Sequence, residues 1–133
     1  MTSDLMILLD TCTLLWLTSD QSKLSETAKG LLKKGEGNLF VSSISAFEIA
    51  VKAKKKKLEL PMEAEKWFHK AIDFHGLVEI PVNGSIAVLS TRLPPLHADP
   101  CDRMIIATAQ LHDLTLLTPD SRIADYPRVR TAW

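Results

Sequence analysis

Four acidic side chains stand at places where the chain leaves an apolar segment or enters a helix. Asp10 ends the run ILLD, Glu48 lies in SSISAFEIAVKAK, Asp102 lies in HADPCDRMII, and Asp120 follows LTLLTP. Carboxylates can ligate a hard divalent cation, and they can act as general acids or bases. Whether these four do so depends on whether the fold brings them together.

Each acid also has a structural alternative when it is taken alone. Asp10 is then best explained as a helix N-cap, and Asp120 as a turn residue after a proline. Glu48 could complete a capping box that starts at Ser45, or pair with Lys52 one helical turn later. These alternatives remain open for each single residue.

The segment HADPCDR has the composition of a helix start. Asp99 fits the N-cap, Pro100 fits the first helical position, and Asp102 fits the third. Capping is the expected role of Asp99. Asp102 instead would point from the first turn toward the neighbouring cleft.

Short apolar segments alternate with helical segments along the whole chain, which we expect to form one domain over residues 1–133. The predicted strands are 5–9, 39–41, 77–82, 114–117 and 129–132. The predicted helices are a short one around 14–17, then 25–34, 43–57, 61–75, 83–89 and 100–112. This alternation predicts an α/β fold, a three-layer α/β/α sandwich with a mainly parallel sheet of four to five strands.

The predicted sheet places the four acids at one edge. Ligands of open parallel sheets bind beyond the carboxyl ends of the strands, and Asp10 and Asp120 directly follow two strands. Glu48 lies on the apolar stripe of its helix, where an unpaired charge is costly. Four neighbouring carboxylates repel one another, and a divalent cation relieves that repulsion. All-oxygen ligation favours Mg²⁺ or Mn²⁺.

Zinc is disfavoured because the histidines show no metal-binding spacing. We expect all four on surfaces or at helix ends: His69, His75, His97 and His112. The two cysteines lack CxxC spacing, which argues against a disulfide framework and fits the reducing cytoplasm. The apolar run 5–9 reads as a strand rather than a signal peptide, and no apolar segment is long enough to cross a membrane.

Charge gives no global signal for polyanion binding, since 16 basic side chains balance 16 acidic ones. The run KAKKKK extends the helix of the candidate glutamate, so Lys52, Lys54 and Lys55 are candidate phosphate contacts. A solvated helix end explains these lysines equally well. Arg92 and Arg103 are further candidates, although Arg103 could instead pair with an adjacent acid.

Five segments taken in order resemble the PIN-domain nucleases, specifically the VapC-type toxins of toxin–antitoxin pairs. They are ILLDTCTLLWL, KLSETAK, VSSISAFEIAVKAKKKKLELP, LPPLHADPCDRMIIATAQ and LTLLTPDSRIADYP. One branch of that family typically has an aromatic residue where Cys101 stands, a tryptophan at Phe47 and often a histidine at Cys12. These departures affect packing or the margins of the site, and all four acids are kept.

The resemblance implies a parallel sheet whose acidic pocket binds Mg²⁺ or Mn²⁺ and cuts single-stranded RNA. It carries metal-site roles onto the four acids, adds Asp99 as a candidate, and makes Thr11 and Thr118 hydroxyls that orient carboxylates. The expected chemistry is phosphodiester hydrolysis by a metal-activated water. Asp10 and Asp102 would hold the main ion.

The resemblance also implies an antitoxin protein and a second copy of the chain as partners. Trp16, Leu17, Trp67 and Phe68 could face such partners, although the sequence alone favours core positions for most of them.

Two other classes of function are compatible with an acidic pocket on a small α/β domain. A haloacid-dehalogenase-type phosphatase needs a second aspartate where Cys12 stands, and a receiver needs paired acids and a late lysine that are not evident here. A PIN fold without catalysis, acting as an RNA- or protein-binding module, is the third alternative.

Overall fold

The computed structural model describes residues 5–133 and contains a parallel sheet of five strands in the order β3-β2-β1-β4-β5. The strands are β1 Ile7–Leu9, β2 Leu39–Ser42, β3 Val78–Ile80, β4 Thr115–Leu117 and β5 Arg130–Ala132. β1 therefore lies at the centre, paired with β2 on one side and β4 on the other. The predicted α/β class and parallel sheet are confirmed.

Six α-helices connect and cover the strands, as the alternation of segments predicts. They are α1 Thr11–Ser19, α2 Glu26–Lys34, α3 Ser43–Lys54, α4 Ala64–His75, α5 Gly84–Thr91 and α6 Pro100–His112. Two short 3₁₀ helices follow α1 and β4, at Gln21–Lys23 and Ile123–Asp125. In the described part of the chain, no helix is both long and apolar enough to span a membrane.

The sheet separates two apolar clusters, one on each face, so the domain has three layers. Ile7 and Leu9 of β1 pack with buried side chains of α1 to α4, whereas Leu8 packs with those of α5 and α6. Successive strand residues point to opposite faces, so a continuous apolar run is what a strand covered on both faces requires.

Several helix ends differ from the predicted ones by up to three residues, and α1 is longer than the predicted 14–17. α4 begins at Ala64 rather than Pro61, and Glu63 caps it by accepting a hydrogen bond from the Glu65 N–H at 3.0 Å. It ends at Gly76 as predicted, in the left-handed region at φ 62° where glycine is favoured. α3 ends at Lys54, so the last lysines of the run lie beyond the helix.

The aromatic and apolar residues expected in the core largely lie there. Leu17, Trp67 and Phe68 are buried. Trp16 is half-buried and packs against Trp133, with ring centroids 5.7 Å apart.

Candidate metal centre

Asp10 lies at the carboxyl end of the central strand and has two structural partners. One carboxylate oxygen accepts the Thr13 N–H at 2.8 Å, so Asp10 does cap α1. The other oxygen accepts the Thr118 hydroxyl at 2.5 Å, from the end of β4. The side chain is buried, and its capping role does not remove it from the sheet edge where the other acids gather.

Glu48 reaches the same edge from the middle of α3. Its Oε1 accepts the Thr11 hydroxyl at 2.6 Å, and the oxygens of Thr11 and Ser45 lie 2.9 Å apart. The half-buried carboxylate is therefore tied to the first residue of α1. The orienting role expected for Thr11 agrees with this contact.

The capping-box alternative for Glu48 is wrong because α3 begins earlier than that motif requires. Ser42 is the N-cap, and its hydroxyl accepts the Ile44 N–H at 3.1 Å. Ser45 is thus inside the helix, and Glu48 lies in its second turn.

The start of α6 is capped as predicted. Asp99 Oδ1 accepts the N–H groups of Cys101 and Asp102, at 2.8 and 3.4 Å. The Asp102 carboxylate then lies in the first turn, and its Oδ2 is 2.9 Å from Nε2 of His97.

The environment of His97 differs from the predicted one, which is a surface position or a helix end. Its side chain is only 6% exposed, and Nε2 also lies 3.3 Å from Asp120 Oδ2. No zinc-type spacing marks this residue, because its contacts depend on how the preceding loop docks. The only local signal is its position two residues before the N-cap of α6.

Burial and mutual repulsion raise the pKa values of two of these acids. Burial raises the pKa of Asp102 to about 6, with further contributions from the charges of Asp99, Glu48 and Asp10, while His97 opposes the shift. Burial also raises the pKa of Glu48; the Thr11 hydrogen bond opposes this, and the charges of Asp99 and Asp10 add to it. The carboxylates of Asp10, Glu48, Asp99 and Asp102 therefore form one cluster, in which burial and repulsion outweigh the opposing charges.

Asp120 has a different environment. Hydrogen bonds from the exposed Arg122 side chain lower its pKa to about 2, with Nε–Oδ1 at 3.0 Å and Nη2–Oδ2 at 2.8 Å. Its backbone N–H also donates to the Thr118 hydroxyl at 3.1 Å. Asp120 thus joins the cluster through His97 and Thr118 while keeping its own counter-ion.

Ligand atoms from these residues are close enough to share a cation. Over residues 5–133, two groups of three have their ligand atoms within 4.8 Å of one another: Glu48, Asp99 and Cys101, and His97, Asp102 and Asp120. Asp10 belongs to neither group. Burial, with the charges of Glu48 and Asp99, raises the pKa of the Cys101 thiol to about 11, so the thiol stays protonated. The remaining donors are largely carboxylate oxygens, which fit a hard divalent cation.

A cleft of about 230 Å³ adjoins the acids and has three lysines in its lining. Glu48 and Asp99 line it together with Lys52, Lys55 and Lys57. Phosphate groups placed there would meet positive charge next to the acids. Lys57 is absent from the sequence-derived candidates.

The other basic candidates are placed differently. Lys54 is exposed and outside this cleft, and Arg92 is exposed at the end of α5. Arg103 donates to the backbone carbonyls of Leu93 at 2.7 Å and Pro94 at 2.9 Å. These contacts tie the Arg103 side chain to the loop before α6, and its predicted contact with phosphate stays a prediction.

A parallel α/β domain with carboxylates gathered beyond the ends of β1 and β4 matches a known family. The PIN domain family model matches residues 7–129, and the chain belongs to this family. A curated relative, Ribonuclease VapC22 of Mycobacterium tuberculosis, is 31% identical over 130 residues, which is 96% of this chain and 98% of the relative.

Solved structures support the same assignment. A toxin–antitoxin complex from Klebsiella pneumoniae includes a chain 28% identical to this one, with a TM-score of 0.64 and coverage of 96% of this chain and 98% of that one. VapBC2 from Rickettsia felis, bound to a fragment of its promoter DNA, shares the fold with a TM-score of 0.71 at 15% identity, covering 96% and 98% of the two chains.

Proposed function

We propose that this chain is an endoribonuclease that depends on Mg²⁺ or Mn²⁺ and serves as the toxin of a toxin–antitoxin pair. The observation that carries the proposal is a cluster of four carboxylates that repel one another at the carboxyl edge of the sheet. Its members are Asp10, Glu48, Asp99 and Asp102. Ribonuclease VapC22, with which the chain aligns nearly end to end, supports RNA as the substrate.

In this proposal Asp10 and Asp102 hold the main ion, and Glu48 and Asp120 complete its surroundings, with Asp99 as an additional ligand. When bound, a divalent cation supplies Lewis-acid stabilisation of the charge that develops on a phosphodiester during hydrolysis. The carboxylates also orient the attacking water and accept its proton, a role that suits Glu48 because its pKa is raised.

Two hydroxyl groups hold the carboxylates in place. Thr118 donates to Asp10, and Thr11 donates to Glu48, so each acid keeps one orientation before any cation arrives. The unfavourable free energy of bringing the carboxylates together is therefore met when the chain folds, and not during the reaction.

RNA affinity comes from outside the acids. Lys52, Lys55 and Lys57 line the cleft that Glu48 and Asp99 also line, so a phosphate backbone held by the lysines passes beside the carboxylates. The recognition is electrostatic, and it gives no reading of base sequence.

We further propose an antitoxin protein and a second copy of the chain as partners. The proposed location is the cytoplasm, where free Cys12 and Cys101 stay reduced.

An apolar groove between α1 and α4 suits an antitoxin segment. Met62, Trp67 and Phe74 line this groove, and Phe74 is 84% exposed. Co-expression with the product of a small adjacent open reading frame tests it: Phe74→Lys should break the complex, and Lys54→Gln should not. Light scattering on the purified chain measures whether it is a dimer.

The test of the nuclease is cleavage of labelled single-stranded RNA with Mn²⁺, with EDTA, and by Asp10→Asn and Asp102→Asn variants. Asp113→Asn is the matched control, because Asp113 is an exposed acid at the opposite end of α6 and its left-handed backbone suits asparagine. We expect cleavage by the wild type and the control, and its loss in EDTA and in both site variants. RNA binding without cleavage would favour a non-catalytic binding module, and full cleavage in EDTA would reject the mechanism.

A further inference from the structure

We propose that His97 is a positioning residue that keeps the carboxylates of Asp102 and Asp120 side by side at the metal centre. The Oδ2 atoms of both acids converge on its Nε2, at 2.9 Å for Asp102 and 3.3 Å for Asp120. This inference rests on the proposed function and names a residue that the acidic motif does not include.

The backbone determines which nitrogen of His97 carries the proton. The Asp99 N–H donates to Nδ1 at 3.2 Å, so Nδ1 is an acceptor and Nε2 carries the hydrogen. That hydrogen is directed to Asp120 Oδ2. With Nδ1 accepting from the backbone, the Nε2 hydrogen faces the place where the two carboxylates meet.

The loop that carries His97 is held by α6 itself. The Arg103 guanidinium donates to the carbonyl oxygens of Leu93, Pro94 and His97, at 2.7, 2.9 and 3.2 Å. The side chain of His97 is 94% buried. A buried imidazole has little room to turn away from the acids.

Without this donor, the two carboxylates have little reason to stay together. Asp102 also faces the negative charges of Asp99, Glu48 and Asp10. Asp120 is also drawn toward the exposed Arg122, which contacts both of its oxygens. His97 lies between the two acids and offsets their repulsion. Removal of such an outer-shell partner typically reduces metal affinity about 10–100-fold.

Two conservative variants separate the two contacts of the ring. Glutamine places its amide nitrogen near Nε2 of histidine, so His97→Gln keeps a donor for the acids. Asparagine places its amide near Nδ1, so His97→Asn keeps the contact with the Asp99 N–H and loses that donor. If His97 only anchors the loop, the Asn variant should bind Mn²⁺ more tightly than the Gln variant. If His97 positions the carboxylates, the Gln variant should bind Mn²⁺ more tightly.

The measurement is the Mn²⁺ dissociation constant by calorimetry, without RNA, together with melting temperatures. We expect His97→Gln to bind Mn²⁺ within about threefold of the wild type and His97→Asn to bind about 10–100-fold more weakly. Equal affinities in the two variants, or a better Asn variant, would overturn the inference. If wild-type protein binds Mn²⁺ but cleaves no RNA, the nuclease proposal fails, while the order of the two variants still decides the role of His97.

A second measurement needs no variant and covers the case of unfolded ones. Imidazole nitrogen shifts from NMR of the wild-type protein without metal, at pH 8, should show His97 with hydrogen on Nε2 only. Hydrogen on Nδ1 would overturn the inference, because the ring would then be turned away from the arrangement described.

Discussion

The hydroxyl of Thr118 donates to Asp10 at 2.5 Å and accepts the backbone N–H of Asp120 at 3.1 Å. One side chain thus links the ends of β1 and β4 and joins two candidate metal ligands. Thr118→Val removes both bonds at nearly constant size. We expect Mn²⁺ affinity and cleavage rate to fall about 10–100-fold, as for other outer-shell partners. Thr118→Ser should restore both quantities, and a Ser variant as weak as Val would contradict the hydrogen-bond argument.

Asp102→Asn is expected to stabilise the protein in the absence of metal while abolishing cleavage. The folded-state pKa of Asp102 is raised to about 6, above its ordinary value of 3.8. The unfolded chain therefore loses this proton more readily, and stability falls as the pH rises from about 4 to about 6. At pH 7.5 the variant should gain up to about 3 kcal/mol in the free energy of unfolding.

Urea unfolding at pH 7.5 and at pH 4 measures this effect. The gain should nearly vanish at pH 4, where aspartate at this position is already protonated. A variant less stable than the wild type at pH 7.5, with EDTA present, would show that no uncompensated charge exists there.

Mn²⁺ affinity should depend on pH because a proton competes for Asp102. With a pKa of about 6, the carboxyl is mostly protonated at pH 5 and mostly charged at pH 7. Affinity should therefore rise about tenfold between these values and then level off. The raised pKa of Glu48 makes the dependence steeper. Calorimetric titrations at both pH values give the comparison, and a constant affinity would argue against Asp102 as a ligand.

Lysines inside and outside the cleft give a charge-matched comparison for RNA binding. Lys52 and Lys55 line the cleft, whereas Lys54 and Lys56 do not. Changing the first pair to glutamine should raise KM for RNA about tenfold and reduce the logarithmic salt slope by about 1.4. The second pair changes the net charge equally and should leave both quantities near wild type. Equal effects from the two pairs would indicate general attraction rather than a binding cleft.

Arg103→Ala is expected to destabilise the fold, because three loop carbonyl oxygens lose a charged donor. The expected cost is about 2–3 kcal/mol, measured by urea unfolding. Arg92→Ala, at an exposed arginine, should change stability by less than about 0.5 kcal/mol. A phosphate contact would give the reverse pattern for Arg103, with KM raised and stability unchanged.

The elements that the sequence predicts well are those with a local cause. Asn83 caps α5 and Asp99 caps α6 as expected, because a cap is decided by its own side chain and the next three residues. β1 is correctly identified because a strand buried on both faces needs an unbroken apolar run.

Errors arise where distant contacts decide the outcome. Pro61 suits a helix start, yet α4 begins three residues later, at Ala64, with Glu63 as its N-cap. His97 has no informative spacing, since its partner Asp120 lies 23 residues away and the loop that carries His97 contacts Arg103. The lysine run shows the same limit, because the position where α3 ends determines which lysines line the cleft.

The central place of β1 in the sheet has a consequence for synthesis. Its partner on one side, β4, is made last but one among the strands, and Thr118 lies 108 residues after Asp10. A nascent chain on the ribosome therefore carries Asp10 without the hydroxyl that orients it until at least 108 further residues have been made. Such distant pairing makes folding slow as well as late. The acidic centre is thus assembled only after β4 and the residues that follow it have been synthesised.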